Sequence, residues 1–165
     1  MQPNATESSS PLKHILTLAA LVASVALAQS LSVSVGGTSP GGARIGIDVD
    51  VPLAGGFLLF ERGWIHPHDA GARISVSHKI APRLALAPGV VMTRPGHARE
   101  AIGLTYLRPA WLVYVNGIPR SHGSDIGAEW TPWHSGHWFV KLSTDALILN
   151  GYHEVSAHIG LGVGR

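Results

Sequence analysis

The chain of 165 residues is about the length of one domain; 13% of its residues are charged, 45% are hydrophobic, and the formal net charge is +2. This composition excludes intrinsic disorder, which needs low hydrophobicity and high net charge. Beyond residue 28, no apolar stretch approaches the roughly 20 residues of a membrane-spanning helix. The lack of cysteine excludes disulfide and thiolate chemistry, and the scattered basic residues form no nucleic-acid-binding patch.

The N-terminal segment has the layout of a secretory signal peptide. A polar stretch ending in Lys13 and His14 precedes an unbroken apolar run over residues 15–28, which closes on Ala26-Leu27-Ala28. A basic flank, a short apolar core and an A-x-A end direct export and cleavage. We therefore predict a signal peptide over residues 1–28, with export across the inner membrane, and a mature domain over residues 29–165. An uncleaved anchor is the alternative.

Apolar residues recur with a period of two along the mature chain. In residues 44–51 (RIGIDVDV), the isoleucines and valines share one face, while Arg44, Gly46 and two aspartates share the other. This alternation is typical of β-strands. The segments that carry it predict strands at residues 31–37, 44–51, 57–62, 73–80, 83–92, 100–107, 110–116, 125–131, 137–144 and 152–164. Because segment 57–62 and the connection 38–42 fit the pattern less well, the predicted count is eight to ten strands.

Small residues and isolated charges fill the face opposite the apolar one. A soluble sandwich or barrel needs a charged outer face, which this chain lacks. In a transmembrane barrel the apolar face meets lipid, and small residues with paired charges fill a narrow lumen. We therefore predict an all-β, antiparallel, up-and-down transmembrane β-barrel; ordinary solvent-facing charges are the alternative. The predicted lumen charges are Arg44, Asp48, Asp50, Arg73, Lys79, Glu129 and Lys141.

The predicted turns alternate in length, with tight connections at 52–56, 81–82, 108–109 and 132–136 and longer ones at 63–71, 93–99, 117–124 and 145–151. Short turns at one end and longer loops at the other are typical of membrane barrels. Four aromatic residues near the tight turns share the face of the apolar residues: Tyr106, Trp111, Trp130 and Trp138. Because Trp and Tyr prefer the headgroup level, they predict an aromatic belt around one end of the barrel.

The signal peptide, the short alternating strands, the glycine-rich lumen face and the aromatic belt together resemble the small outer-membrane β-barrel proteins of Gram-negative-type envelopes. This resemblance implies a monomer in outer-membrane lipid, with no enzymatic activity, no cofactor and no nucleic-acid partner. With eight to ten strands the lumen holds at most a narrow pore. The implied role is structural, or recognition of an unidentified partner through surface loops.

One loop offers metal-ligand chemistry. His66, His68 and Asp69 carry two imidazoles and a carboxylate that could hold Zn²⁺ or Cu²⁺ if His97 or His122 completed the shell. Solvated loop histidines are the commoner case.

Two other functions fit the sequence. One is a soluble periplasmic or secreted β-barrel with its apolar face turned inward around a small apolar ligand. The other is a membrane-embedded lipid hydrolase using the loop Ser121-His122-Gly123-Ser124-Asp125, which contains a nucleophile, a base and an acid. Adjacent residues rarely reach triad geometry, because a triad is a spatial arrangement.

Overall fold

The chain forms a single closed barrel of ten antiparallel strands in a computed structural model, which describes residues 28–66, 69–93 and 97–164. Each strand pairs with its sequence neighbours, and β1 pairs with β10 to close the sheet. The strands are β1 (Ser30–Ser39), β2 (Gly42–Pro52), β3 (Phe57–His66), β4 (Asp69–Ala81), β5 (Leu84–Thr93), β6 (His97–Arg108), β7 (Trp111–Ile118), β8 (Gly123–Ser135), β9 (Trp138–Leu149) and β10 (Tyr152–Gly164). None of the helices in these described ranges is long and apolar enough to cross a membrane. Apart from Ala28, the predicted signal peptide lies outside the described residues and stays a prediction.

The predicted all-β, antiparallel up-and-down barrel is confirmed, and its strand count is ten. The strands are longer than their periodicity indicated: they have 8 to 13 residues, and a transmembrane strand needs roughly 9 to 11. Most of the added length lies at the end of the barrel opposite Ser30 and Gly164. We call the end that carries these two residues the termini end and the other the distal end.

The expectation of long loops at the distal end is wrong. The strands continue through the segments predicted as loops, so that His66 pairs with Asp69 and Leu149 pairs with Tyr152 across short turns. All nine connections between strands have two to four residues. Gly71 explains part of the error, because a Cβ at this strand position would overlap the Trp64 side chain on the neighbouring strand. A glycine in a strand often marks such a close approach rather than a turn.

The two faces of the sheet have opposite chemistry, as the period-two alternation predicts. Arg44, Asp48 and Lys141 are buried in the lumen. Glu61 interrupts the apolar exterior, between Val49 and Ile74 on the flanking strands. Exposed apolar residues cover the outside of nearly every strand: Val33, Val35, Ile45, Ile47, Ile65, Ile74, Leu86, Ile102, Leu104, Val113, Val115, Ile126, Ile148, Val155, Ile159 and Leu161. Burial is thus inverted relative to a soluble protein.

Replacing an apolar residue in the middle of this exterior with lysine tests the inversion. We expect Ile159→Lys, halfway along β10, to lower the free energy of unfolding in lipid vesicles by about 2–4 kcal/mol, because the charge enters hydrocarbon. Val163→Lys is the matched control: it lies on the same face but beside Trp138 at the termini end, where the loss should be about 0–1 kcal/mol. Urea titration followed by heat-shifted gel mobility measures both. If Ile159→Lys is neutral or stabilising, the exterior faces water.

Candidate functional site: the barrel lumen

An ion cluster joins β2, β3, β8 and β9 across the lumen. Arg62 donates from Nε to Asp48 Oδ1 (2.6 Å) and from Nη2 to Glu129 Oε1. Lys141 donates from Nζ to Asp48 Oδ2 and lies 3.6 Å from Glu129 Oε2. Each of the four side chains is at most 10% exposed. Two cations and two carboxylates therefore neutralise one another where an unpaired charge would be costly.

A second ion group lies toward the distal end. Arg44 Nη1 donates to Glu154 Oε1 (2.6 Å) and to Asp145 Oδ2 (3.5 Å). Its guanidinium also stacks over the Trp64 ring, 4.5 Å from the centroid. These contacts connect β2 with β3, β9 and β10, so β2 and β10, which are not neighbours in the sheet, are joined by an ion pair.

A third group joins β4 to β7 and β8 across the lumen. Arg73 Nη1 donates to Asp125 Oδ2 (2.5 Å), which also accepts from Asn116 Nδ2 (3.1 Å). The Arg73 guanidinium lies over the Tyr114 ring, 3.9 Å from its centroid. Tyr114 fits because Gly127 faces it on β8, where a Cβ would overlap the phenol. The aromatic ring and the carboxylate thus hold Arg73 between them.

An apolar cluster closes the distal half of the lumen. It comprises Trp64, Val91, Ala101, Ile118, Leu147 and Leu149, all at most 9% exposed. Its lumen-facing side chains come from β3, β5, β6, β7 and β9 and pack against one another beyond the ion pairs. A passage through the lumen would need this cluster to separate.

The termini half of the lumen is less filled. Two cavities of about 110 and 200 Å³ lie there, and Asp50 and Glu129 line both. Leu58 and Phe60 contribute apolar wall to the smaller one. By contrast, the space beside Arg44 toward the distal end measures only about 10 Å³. The lumen is therefore a vestibule at the termini end that narrows to a filled distal half.

The structure brings five of the seven predicted lumen charges into the three ion groups: Arg44, Asp48, Arg73, Glu129 and Lys141. Asp50 faces the vestibule and accepts a hydrogen bond from Ser30 Oγ at 2.5 Å. Lys79 has the lumen parity but lies near the end of β4, opposite Ala85, and its side chain is exposed rather than buried. Charges that sequence reasoning missed complete the ion groups: Arg62, Asp125, Asp145 and Glu154.

The four aromatic residues of the predicted belt are exposed on the outside of the barrel. Trp111 and Trp130 are paired across β7 and β8 and stack with their centroids 5.4 Å apart. Tyr106 and Trp138 lie next to the turns at residues 109–110 and 136–137. Trp133, which is also exposed on β8, was not predicted. Their contact with lipid headgroups stays a prediction.

The predicted metal site falls on undescribed residues. Pro67 and His68 lie outside the described ranges, as do the side chains of His66 and Asp69. Among the residues that are described, no group of three His, Cys, Asp or Glu side chains could hold a metal ion. Metal binding by His66, His68 and Asp69 therefore stays a prediction.

The loop proposed for hydrolysis does not assemble a triad. Asp125 points into the lumen, where it binds Arg73 and Asn116. Ser124 precedes it on the same strand and therefore points to the opposite face. His122 is exposed in the turn, with a φ of 46°. The acid and the nucleophile are thus on opposite sides of the barrel wall.

Comparison with known proteins identifies the fold alone. No protein-family model matches the sequence, and no curated protein matches it. The structure of the KdgM porin has 11% sequence identity to this chain and a TM-score of 0.50, covering 82% of this chain and 99% of the porin. The N-terminal β-barrel domain of Pseudomonas aeruginosa OprF has 20% identity over 84% of this chain and 98% of its own, with a TM-score of 0.41. The phycobiliprotein lyase CPES from Guillardia theta has 10% identity over 88% and 92%, with a TM-score of 0.48.

The likeness to the KdgM porin shows that the chain has the fold of an outer-membrane β-barrel. At this identity it shows nothing of activity, and the scores of the other two structures add no argument. The function must therefore be argued from the lumen and the surface of this chain.

Removing one member of the central ion cluster tests its contribution to stability. We expect Arg62→Leu to cost about 3–5 kcal/mol of unfolding free energy, because it removes the buried cation that pairs with Asp48 Oδ1 and Glu129 Oε1 and leaves two carboxylates to one lysine. Arg120→Leu is the control, since its pair with Glu100 at 3.4 Å is exposed and should be worth about 0–1 kcal/mol. Urea unfolding in detergent measures both. Equal losses in the two variants would mean that the lumen is hydrated.

Proposed function

We propose that the chain is a non-enzymatic outer-membrane β-barrel protein with a filled lumen and a structural role in the cell envelope. The observation that carries this proposal is the inverted burial: apolar side chains cover the exterior, and ionised ones lie inside. A water-soluble monomer rarely exposes an apolar patch larger than a few hundred Å². An apolar girdle around a closed barrel fits a bilayer instead, since every strand is hydrogen-bonded on both edges.

The filled lumen argues against a wide channel. The ion groups span the middle of the barrel, and the apolar cluster around Ile118 and Val91 occupies its distal half. Water and ions would have to cross both layers. The vestibule at the termini end is a recess rather than an entrance to a continuous pore.

Short turns favour the structural role over recognition. Connections of two to four residues present little surface to a partner. The predicted recognition through long surface loops loses support, because the loop residues are strand residues paired in the barrel wall. Most of the surface that other molecules can contact is therefore the aromatic belt and the apolar girdle.

The two alternatives need arrangements that this chain does not have. A soluble ligand-binding barrel requires the isoleucine and valine face inside, but that face is outside. The lipid hydrolase requires Ser124 and Asp125 on one side of the barrel wall, and β8 puts them on opposite sides.

Cell fractionation of the full chain tests the membrane assignment. We expect the protein in the outer-membrane pellet, extractable only with detergent, and running faster on an unboiled gel than after boiling because the closed barrel resists detergent unfolding. Ile159→Lys provides an internal control that should lower the heat-shifted fraction without changing expression. A folded protein in the soluble periplasmic fraction would contradict the proposal and revive the ligand-binding alternative.

Bilayer conductance tests the filled lumen. The purified barrel, incorporated in a planar bilayer, should give no steady current above the bare membrane, because the distal half of the lumen is packed. The KdgM porin serves as the positive control for incorporation and recording. Steady single-channel steps from this chain, with vesicle flotation confirming insertion, would show an open pore and contradict the structural role.

A further inference from the structure

The two ends of the barrel differ in the sign of their exposed charges. In the described ranges, the exposed charged side chains at the distal end are Glu100 and Arg120, which pair at 3.4 Å. Those at the termini end are all basic: Lys79, Arg83 and Arg108. They lie on β4, on the following turn and on β6, so they share one side of the barrel. This side of the termini end carries positive charge without an exposed carboxylate.

Two of these cations lie beside one neutral side chain, Tyr106. Arg108 Nε donates to the Tyr106 hydroxyl at 3.0 Å, and Arg83 precedes Leu84, the strand partner of Tyr106. The backbone fixes the turn beside β6, because Leu107 N donates to Arg83 O at 2.9 Å. Like charges held close together repel, and a neutral phenol does not compensate them. An anion between the guanidiniums would turn this repulsion into attraction.

The guanidiniums have donors left for such an anion. Each carries five N–H groups in a fork that matches phosphate, and the contact of Arg108 with Tyr106 uses one of them. An aromatic surface adjoins the cations: Arg108 is the strand partner of Trp111, which stacks on Trp130. Both indoles are exposed on the outside of the barrel, and Trp side chains prefer the level where headgroups meet acyl chains in a membrane.

We propose that Arg83, Tyr106 and Arg108 form a binding site for the phosphate of an anionic phospholipid, whose acyl chains lie against Trp111 and Trp130. The site goes beyond the structural role and rests on the membrane assignment, because its ligand is a lipid. A basic residue close to an anionic surface contributes about 1 kcal/mol, which corresponds to about a fivefold change in affinity. The site therefore distinguishes phosphatidylglycerol, with its net charge, from zwitterionic phosphatidylcholine.

Native mass spectrometry of the full-length barrel, purified in neutral detergent and titrated with either lipid, tests the site. We expect a tighter phosphatidylglycerol complex than phosphatidylcholine complex, and about fivefold weaker phosphatidylglycerol binding in R83Q and in R108Q. R120Q is the matched control, because it removes an exposed arginine at the distal end. Its phosphatidylglycerol binding should equal that of the wild type. The R108K variant retains the charge and should recover part of the loss.

Each alternative result has a defined meaning. Equal losses in R83Q, R108Q and R120Q would show attraction by overall charge and overturn the site. If the wild type binds the two lipids equally, and R83Q and R108Q bind them as the wild type does, the belt has no preference for an anion. This result would also overturn the site. Heat-shifted mobility and vesicle flotation are scored on the same samples. A wild-type chain that does not float overturns the membrane assignment, whereas a chain that floats but shows no preference overturns the lipid site alone.

Discussion

Across the middle of the lumen, the ion pairs that Arg62 and Lys141 make with Asp48 and Glu129 take the place of an apolar core. In a soluble protein, removal of apolar surface from water drives closure of the sheet. Here the apolar surface faces outward, so the lumen must supply groups that hold opposite walls together. Mutually neutralised charges do this, and each depends on the others because an unpaired one would cost several kcal/mol. The exterior can be largely apolar because the charges inside the barrel neutralise one another.

The strands and their faces were predictable because alternation is a local property of the chain. Arg44 and Asp48 could be assigned to the lumen by parity alone. Arg62 could not, because it follows Glu61, and two adjacent charges leave the parity of β3 undecided. Only closure of the barrel, which brings Arg62 between Asp48 and Glu129, identifies it. Glu154 has the parity of the buried residues of β10 and could have been found by extending the same reasoning.

Strand length was not predictable for a different reason. The segments around Gly71 and Gly151 contain the small and polar residues that mark loops. At Gly151 the residue does form a turn, with a φ of 77°. At Gly71 the same residue type leaves room for Trp64 on the next strand, which is a tertiary contact that no local pattern encodes. Lys79 illustrates a different limit of local patterns. Its parity predicts which face of β4 it lies on, but not how close it lies to the end of the barrel.

The spacing of the ion pairs constrains the order in which the barrel can enter a membrane. Asp48 on β2 binds Lys141 on β9, and Arg44 on β2 binds Glu154 on β10, at sequence separations of 93 and 110 residues. Until the last strands arrive, Arg44 lacks both of its carboxylate partners and Asp48 has only Arg62, so an unpaired charge would enter hydrocarbon with the first hairpins. Contacts between distant residues also form slowly. Although β2 is synthesised before β9 and β10, we expect it to insert together with them, because they carry the carboxylates that pair with Arg44.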